Sequence, residues 1–527
     1  MESMHKRIAA LVLALAVMAC TGSWALAEES SPYPETFSIY CPLSDHIAKI
    51  GVNNYGELYV FQELEKRTGT HVEFSHPSAG ADMVSQVNLM VASGSLPDVI
   101  VMGNWKGISG GLFQWYDDGV IYDLTEMIPE YMPNYYAILQ SMPYGVQNVS
   151  VDGHMFYLTE FNHNVPFSGP IVREDWMKQL GIEEYPNTID ELMTYFELVQ
   201  ENDMNGNGDA DDEWAISGYE PMSQNFSPYD LMWPWGITYD FMQIDGKVTH
   251  GMLEPEFTEA ITFLHDLYAR GMLDPDYETQ DRDALDGKFM NNMVGFEYGL
   301  QPTKMNNSMA ETSDFKATGT YNIRLTEDSP AYVFHNLYVS KITSSCDTVI
   351  TTACDEPEKV LTWFDYIYGE EGSLLMNFGI EGESFEFDEN GVPYYDYTNA
   401  LAKHPDLTES DIAYLYRLQG LSAFPMQMSS DAFASTLHEY SKEGTDRWES
   451  DYDASRILPN ISLTAEETEE VNDMLVDIET YVSTQLSRLV NGQVSLEEIP
   501  NIQQTLRDMG IERVIEIYQA AYDRFIA

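Results

Sequence analysis

Positive charge is what this chain has least of. Its 527 residues carry 26 Lys and Arg against 86 Asp and Glu, a formal net charge of -60 at pH 7. A field of that sign repels phosphate backbones and anionic headgroups, which excludes nucleic acid and anionic lipid surfaces as partners. Cysteine is scarce too, with only 4 in the chain, so no disulfide scaffold holds the fold together. Cys346 and Cys354 flank the β-branched run Thr348 to Thr352 and could form a local hairpin disulfide, whereas Cys41 reads as a small hydrophobe buried in the first strand. Past the N-terminal segment, no stretch approaches the ~18 uninterrupted apolar residues of a membrane helix. The G-x-S-x-G elbow, the H-E-x-x-H helix and His/Cys clusters with zinc spacing are all missing. With so many acids, paired carboxylates arise by chance everywhere, so no catalytic dyad can be read from spacing. The chain is expected to bind rather than to catalyse, the rival class being an exported polysaccharide-acting enzyme.

What is present begins with an export signal. Residues Met1 to Ala27 combine Lys6 and Arg7, the apolar run Ile8 to Ala19, and Ala25-Leu26-Ala27 as an A-x-A cleavage site. Val17-Met18-Ala19-Cys20 offers a competing lipoprotein reading, with Cys20 as the acylated N-terminus. Both readings put the chain outside the cell, secreted or lipid-anchored to the outer face of the membrane. Hydrophobic residues make up 44% and aromatics 13%, which suits a globular chain of two large lobes.

Short apolar strands alternate with amphipathic helices. Thr36 to Tyr40, Val72 to Phe74 and Val99 to Met102 read as strands, separated by helices at Tyr59 to Arg67 and Met83 to Ala92. This is the α/β pattern. Asn104 and Trp105, just after the third strand, would then sit at the carboxyl-end crevice where open α/β sheets take ligands.

The stretch from Ile171 to Gly218 is the most informative. Thr188 and Glu191 form a capping box, and Ile189, Leu192, Met193, Phe196 and Leu198 give an apolar helical stripe. The segment DMNGNGDADDE follows. Calcium needs six to eight hard oxygens, and a loop wraps it when oxygens recur at alternate residues and glycines permit positive φ. Asp203, Asn205 and Asn207 meet that spacing with side-chain oxygens, Asp209 can supply its backbone carbonyl, and the run ends in Asp211 and Asp212, with Asp212 or Glu213 closing the loop ahead of Trp214, where a standard loop has its bidentate Glu. The cation would be structural, stapling the helix end to a strand at Trp214 to Ile216; the bland alternative is an Asn/Gly-rich turn.

Several long strings share one resemblance. VNLMVASGSLPDVIV, FQWYDDGVIYDLTEMIPEYMPNY, VREDWMKQLGI with the acidic loop, MVGFEYG and YIYGEEGSLLMNFGIEGESFEF resemble the extracellular solute-binding proteins of ABC importers. Specifically, they are similar to the saccharide-binding family of Gram-positive bacteria, including its alginate-oligosaccharide-binding members. The resemblance covers nearly all of Glu28 to Ala527. It implies an α/β, two-lobed periplasmic-binding-protein-like clamp with hinge crossovers and a helical C-terminal region. It further implies a monomer that takes a carbohydrate, holds structural calcium and docks on an ABC transporter permease. On this basis the first lobe is expected at about 28–160 with a return at about 300–372, and the second at about 161–299 and 373–527. A sugar-sensing or adhesion surface protein using the same clamp is an alternative.

Sugar rings need flat apolar surfaces for their C–H faces and planar polar groups for their hydroxyls. The aromatic candidates outside periodic segments are Trp105, Trp115, Tyr116, Trp233, Trp235 and Tyr298; for each the alternative is ordinary core packing. Asn104, Glu160, Asn162, His163 and Arg173 are the candidate hydroxyl partners, although Glu174 and Asp175 also give Arg173 a local salt-bridge explanation. A uronic-acid ligand would need Arg173, Lys106 or Lys304 as its counter-charge.

Overall fold

The computed structural model describes residues 31–77, 82–103, 105, 108–109, 111–142, 144–151, 153–162, 166, 168–209, 212–219, 227–310, 314–335, 342–418 and 424–526. The segment expected to be an export signal, Asn104, Lys106, His163 and Asp211 lie outside the described residues. In chain order the strands begin with β1 (Thr36–Tyr40), β2 (His71–Ser75), β3 (Val99–Met102), β4 (Leu158–Asn162), β5 (Ser168–Arg173) and β6 (Trp214–Ile216). They continue with β7 (Phe241–Ile244), β8 (Lys247–His250), β9 (Val294–Leu300), β10 (Ala317–Gly319) and β11 (Ile342–Ile350). The last are β12 (Phe385–Phe387), β13 (Pro393–Tyr395) and β14 (Gln427–Met428).

Two sheets organise two lobes. The first has the order β14-β4-β11-β3-β1-β2 and the second β10-β5-β9-β6, while β12-β13 and β7-β8 are separate hairpins. β1 pairs in parallel with β2 and β3, and every residue of β3 is buried. Such continuous apolar runs are what a parallel strand covered on both faces requires. One face of the first sheet packs on a core containing Phe37, Ile39, Trp363 and Phe364. The other holds Tyr40, Ile100, Met102 and Val349 with α1 (Met83–Ser93) and α2 (Gly111–Asp117), through Val87 and Trp115.

In the second lobe, α3 (Ile189–Gln200) begins on the anticipated capping box between Thr188 and Glu191. It buries Ile189, Leu192, Tyr195, Phe196 and Val199; Leu198, expected in the stripe, is only half-buried because the true stripe drifts one residue by the last turn. The same core takes α4 (Phe257–Ala269), the long helix Ala465–Val490 and the C-terminal helix Ile511–Ile526. α5 (Arg282–Met290) and α6 (Glu439–Ser450) cover the opposite sheet face, where Leu285, Phe289 and Trp448 meet Ile171.

The chain changes lobes at places other than the expected 300 and 372. β10 pairs with β5, Ile323 and Val333 lie in the second core and Phe334 packs against it, so the described residues as far as Phe334 belong to the second lobe. From β11 it remains in the first lobe through β14, with Leu375, Met376, Tyr416 and Phe424 in the first core. It leaves again before α6, which packs on β10. The three-residue β10 and two-residue β14 are too short to carry a period, which is why their sheets were not legible. Cys41, Cys346 and Cys354 are buried and form no disulfide among the described residues. The expected hairpin between the last two is instead the end of the single strand β11, with Cys354 beyond it. The lobes also meet away from the sheets, where the Tyr144 and Phe525 rings lie 5.2 Å apart beside a cavity of about 420 Å³.

Candidate ligand-binding cleft and acidic loop

Strand direction defines the crevice. The carboxyl ends of β1, β3, β4 and β14 share one edge of the first sheet with the amino end of β11. In the second sheet, the amino end of β5 shares an edge with the carboxyl ends of β6, β9 and β10. The chain passes between lobes at these two edges, from β4 to β5 and from β10 to β11, so the edges face one another across the position at which open α/β sheets bind ligands.

On the first lobe, Trp105 follows β3 and stands edge-on to Trp115 at 5.9 Å. Trp115 is buried with its indole N–H donating to Ser109 O at 3.1 Å, whereas the half-buried Trp105 has an indole N–H with no partner among the described residues. Tyr116 is 40% exposed and packs near Phe156 and His154. Glu160 and Asn162 are buried at the carboxyl end of β4. Nearby, Asp347 accepts from Thr159 Oγ1 at 2.8 Å, and burial pushes its carboxyl up to about 7.

On the second lobe, orphaned buried polar atoms gather around the carboxyl half of β9. Trp233 stands edge-on to Tyr298 at 5.3 Å, and its indole N–H has no partner among the described residues. Both Glu297 oxygens, Arg282 Nη1 and Gln301 Nε2 are likewise unsatisfied. Native proteins leave few buried polar groups unpaired, and each exception marks water, strain or a ligand position. Burial pushes the Glu297 carboxyl up to about 7, against the pull of Arg282. Arg282, Glu297 and Gln301 were not among the sequence candidates. The one available signal was a lone acid inside the apolar strand VGFEYGL.

Other candidates are occupied in packing. Arg173 is 1% exposed and clamps Asp175 through Nε at 2.9 Å, Phe289 O through Nη1 at 2.9 Å and Asn292 through Nη2 at 2.5 Å. It lies between the rings of Trp176 and Phe315. Its salt bridge is thus to Asp175, while Glu174 pairs with Lys178 and Lys316. Trp235 rests on Phe263 of α4 at 5.4 Å, and the 3-10 helix Pro228–Trp235 starts from a capping box in which Ser227 N donates to the buried Asp230.

The acidic loop closes on itself. Asp203 accepts from the backbone N–H of Gly206, Asn207 and Gly208 at 2.6 to 3.1 Å. Asn205 and Asn207 accept from Asn207 N and Asp209 N, and donate their amides to Asp212. Gly206 and Gly208 hold φ of 72° and 93°, the left-handed turns the alternation requires. Glu213 takes the N–H of Asn205 on one oxygen and leaves the other buried and unpartnered. Burial and the nearby Asp212 and Asp203 charges raise its carboxyl pKa. Among the described residues no preformed cluster of acids or histidines makes a metal cage, but an all-oxygen donor set with one orphaned carboxylate oxygen fits a hard divalent cation.

A model of the bacterial extracellular solute-binding protein family matches residues 54–373. The chain is 23% identical over 557 residues to the fructooligosaccharide ABC transporter substrate-binding protein FusA of Streptococcus pneumoniae, covering 100% of this chain and 99% of the relative. The solved structure of the alginate-binding protein AlgQ2 without calcium ion matches with a TM-score of 0.65 at 20% identity, covering 93% of this chain and 98% of that one. An EF-hand mutant of FusA in complex with fructo-nystose matches with a TM-score of 0.66 at 22% identity, over 93% and 99% of the two chains. At these identities the structural likeness shows a shared two-lobed fold.

Proposed function

Because this chain belongs to the bacterial extracellular solute-binding proteins, we propose that it captures an oligosaccharide between its lobes outside the cell and delivers it to the permease of an ABC transporter. The observation that carries this reading is the pairing of aromatic surfaces with orphaned polar atoms on the two facing sheet edges. Trp105, backed by the buried Trp115, would offer a ring face from the first lobe, and Trp233 and Tyr298 from the second, whereas Tyr116 packs on Phe156 ahead of the amino end of β4. The free N–H groups of Trp105, Trp233 and Gln301 and the Glu297 carboxylate supply the donors and acceptors that sugar hydroxyls need. Glu160 and Asn162, at the first crossover, would meet ligand as the hinge closes; Asn104 and His163 remain candidates from the sequence alone.

A ligand contacting both lobes favours the closed arrangement by its differential affinity for it, and closure would present a joined surface to the permease. Calcium would act away from this chemistry. Asp203, Asn205, Asn207, Asp212 and Glu213, with Asp209 and Asp211, are the residues that would hold it, and its contribution would be to rigidify the end of α3 against β6. The alginate-binding relative named with reference to calcium and the relative with an EF-hand mutant support this part of the reading.

Thermal melting of the exported chain against a sugar panel, with calcium and with chelator, tests both parts. Ligand at a hundred times its dissociation constant adds about 2.7 kcal/mol, a shift of a few degrees for lobes of this size. Fructo-oligosaccharides are the first probes, given the fructooligosaccharide relative. A shift with no product formed supports the receptor reading; turnover of the sugar by pure protein refutes it.

A further inference from the structure

Relatives named for a fructooligosaccharide and for alginate leave open whether the ligand is neutral or a uronate, and the carboxyl half of β9 bears on that choice. Glu297 faces Ile171 across the β5–β9 ladder and is fully buried. Its carboxyl bends toward the carboxyl end of its own strand: a Cβ on Gly299 would lie 2.8 Å from Oε1, so only glycine leaves it that room. Arg282 reaches across from α5, with Nη2 3.8 Å from Glu297 Oε1, too far for a hydrogen bond. Its Nε is committed to Asp286 at 2.7 Å, while Nη1 is free. The Arg282 side chain is 24% exposed, and its guanidinium carbon lies 5.8 Å from the centroid of the Tyr219 ring.

An unpaired donor beside an unsatisfied carboxylate is an arrangement that one hydroxyl can bridge. The hydroxyl donates to Glu297 and accepts from Arg282, satisfying both at once. A ligand carboxylate cannot do the same for an ionised Glu297, because it has no proton to give and meets Glu297 and Asp286 as like charges. Cations packed around the same sheet are already matched. Arg173 holds Asp175, Lys288 lies between Asp274 and Asp276, Lys304 pairs with Asp283, and Lys316 with Glu174. The net charge of -60 adds a repulsive field at longer range.

We propose that Glu297, positioned by Arg282, is a specificity-determining residue that selects a neutral oligosaccharide and rejects carboxylate-bearing sugars. This rests on the saccharide-receptor reading above and names the ligand class within it. The test is calorimetric titration of the exported chain in calcium with kestose, maltotriose, mannotriose and trigalacturonate, for the native protein and Glu297→Gln. A neutral trisaccharide is expected to bind, with trigalacturonate weaker by roughly a hundredfold because like charges juxtaposed at an interface are strongly disfavoured. Glu297→Gln keeps the shape but not the charge. It should weaken the neutral sugar roughly tenfold and narrow the gap to trigalacturonate, while the free protein melts no lower than the native one. Native protein that binds trigalacturonate as tightly as the neutral sugars overturns the inference alone. So does a Glu297→Gln variant with unchanged affinities, which would mean that the carboxylate holds only internal water. Silence toward every sugar overturns the saccharide reading and this inference with it.

Discussion

The acidic loop and the carboxyl half of β9 are both rich in acids and amides, yet they treat their polar atoms in opposite ways. In the loop, Asp203 and Asp212 have both oxygens occupied by neighbours within a few residues, and a single Glu213 oxygen is left over. Around β9, Glu297 has neither oxygen occupied, and Arg282, Gln301 and Trp233 each keep an idle donor. A group satisfied by its own protein contributes to folding, whereas one left idle and buried costs stability until something else completes it. The contrast separates a place built to hold the fold from a place built to hold a ligand.

The largest expected effect lies on the saturated side. Arg173→Met breaks a buried, fully bonded guanidinium, leaving Asp175, Asn292 and Phe289 O without their donor. It should cost roughly 3–5 kcal/mol in denaturant unfolding. A loss under 1 kcal/mol would mean that saturation does not mark structural groups here.

Next comes the loop. Asp203→Ala removes the acceptor of three backbone N–H groups and a cation ligand together. The native protein should gain about 2.7 kcal/mol at calcium a hundred times its dissociation constant. The variant should gain nothing, and should melt below the native protein even with chelator present. A native midpoint indifferent to calcium would remove the cation while leaving the hydrogen-bonded loop.

On the idle side the sign reverses. Burial lifts Glu297 to about 7, so the folded state binds its proton more tightly than the unfolded chain does. Its contribution is therefore fully present below the unfolded value near 4.5 and is lost as pH rises through about 7. Glu297→Gln without sugar should then stabilise the protein by roughly 2–3 kcal/mol at pH 8 and change little at pH 4. Equal midpoints at pH 8 would show that Glu297 is not a strained acid. Asp230, lifted to about 8 by burial, should contribute a decline of the same sign, which Asp230→Asn would flatten.

The smallest effect isolates one N–H. Trp233→Phe keeps an aromatic ring against Tyr298 but deletes the orphaned indole donor. Sugar affinity should fall roughly fivefold, about 1 kcal/mol, with the midpoint of the free protein unmoved. A lowered midpoint with native affinity would assign Trp233 to the core alone.

What the sequence determined by itself is local. β1 and β3 fall where apolar runs predicted them, and the helix after Thr188 starts on the capping box that T-x-x-E spacing announces. The alternating Asp and Asn of the acidic loop, each bonding residues two to seven positions on, were legible for the same reason. These features depend on neighbours within one or two turns, and chain order encodes such neighbours directly. Tertiary structure alone decided the rest. It turned Arg173 from a candidate ligand contact into a clamp by bringing Asn292 to it, and it assigned 303–335 and 373–428 to their lobes through strands too short to show a period. It also placed Arg282 beside Glu297 and left both unsatisfied, because a missing partner is a property of what the whole fold brings near, and no local spacing records it.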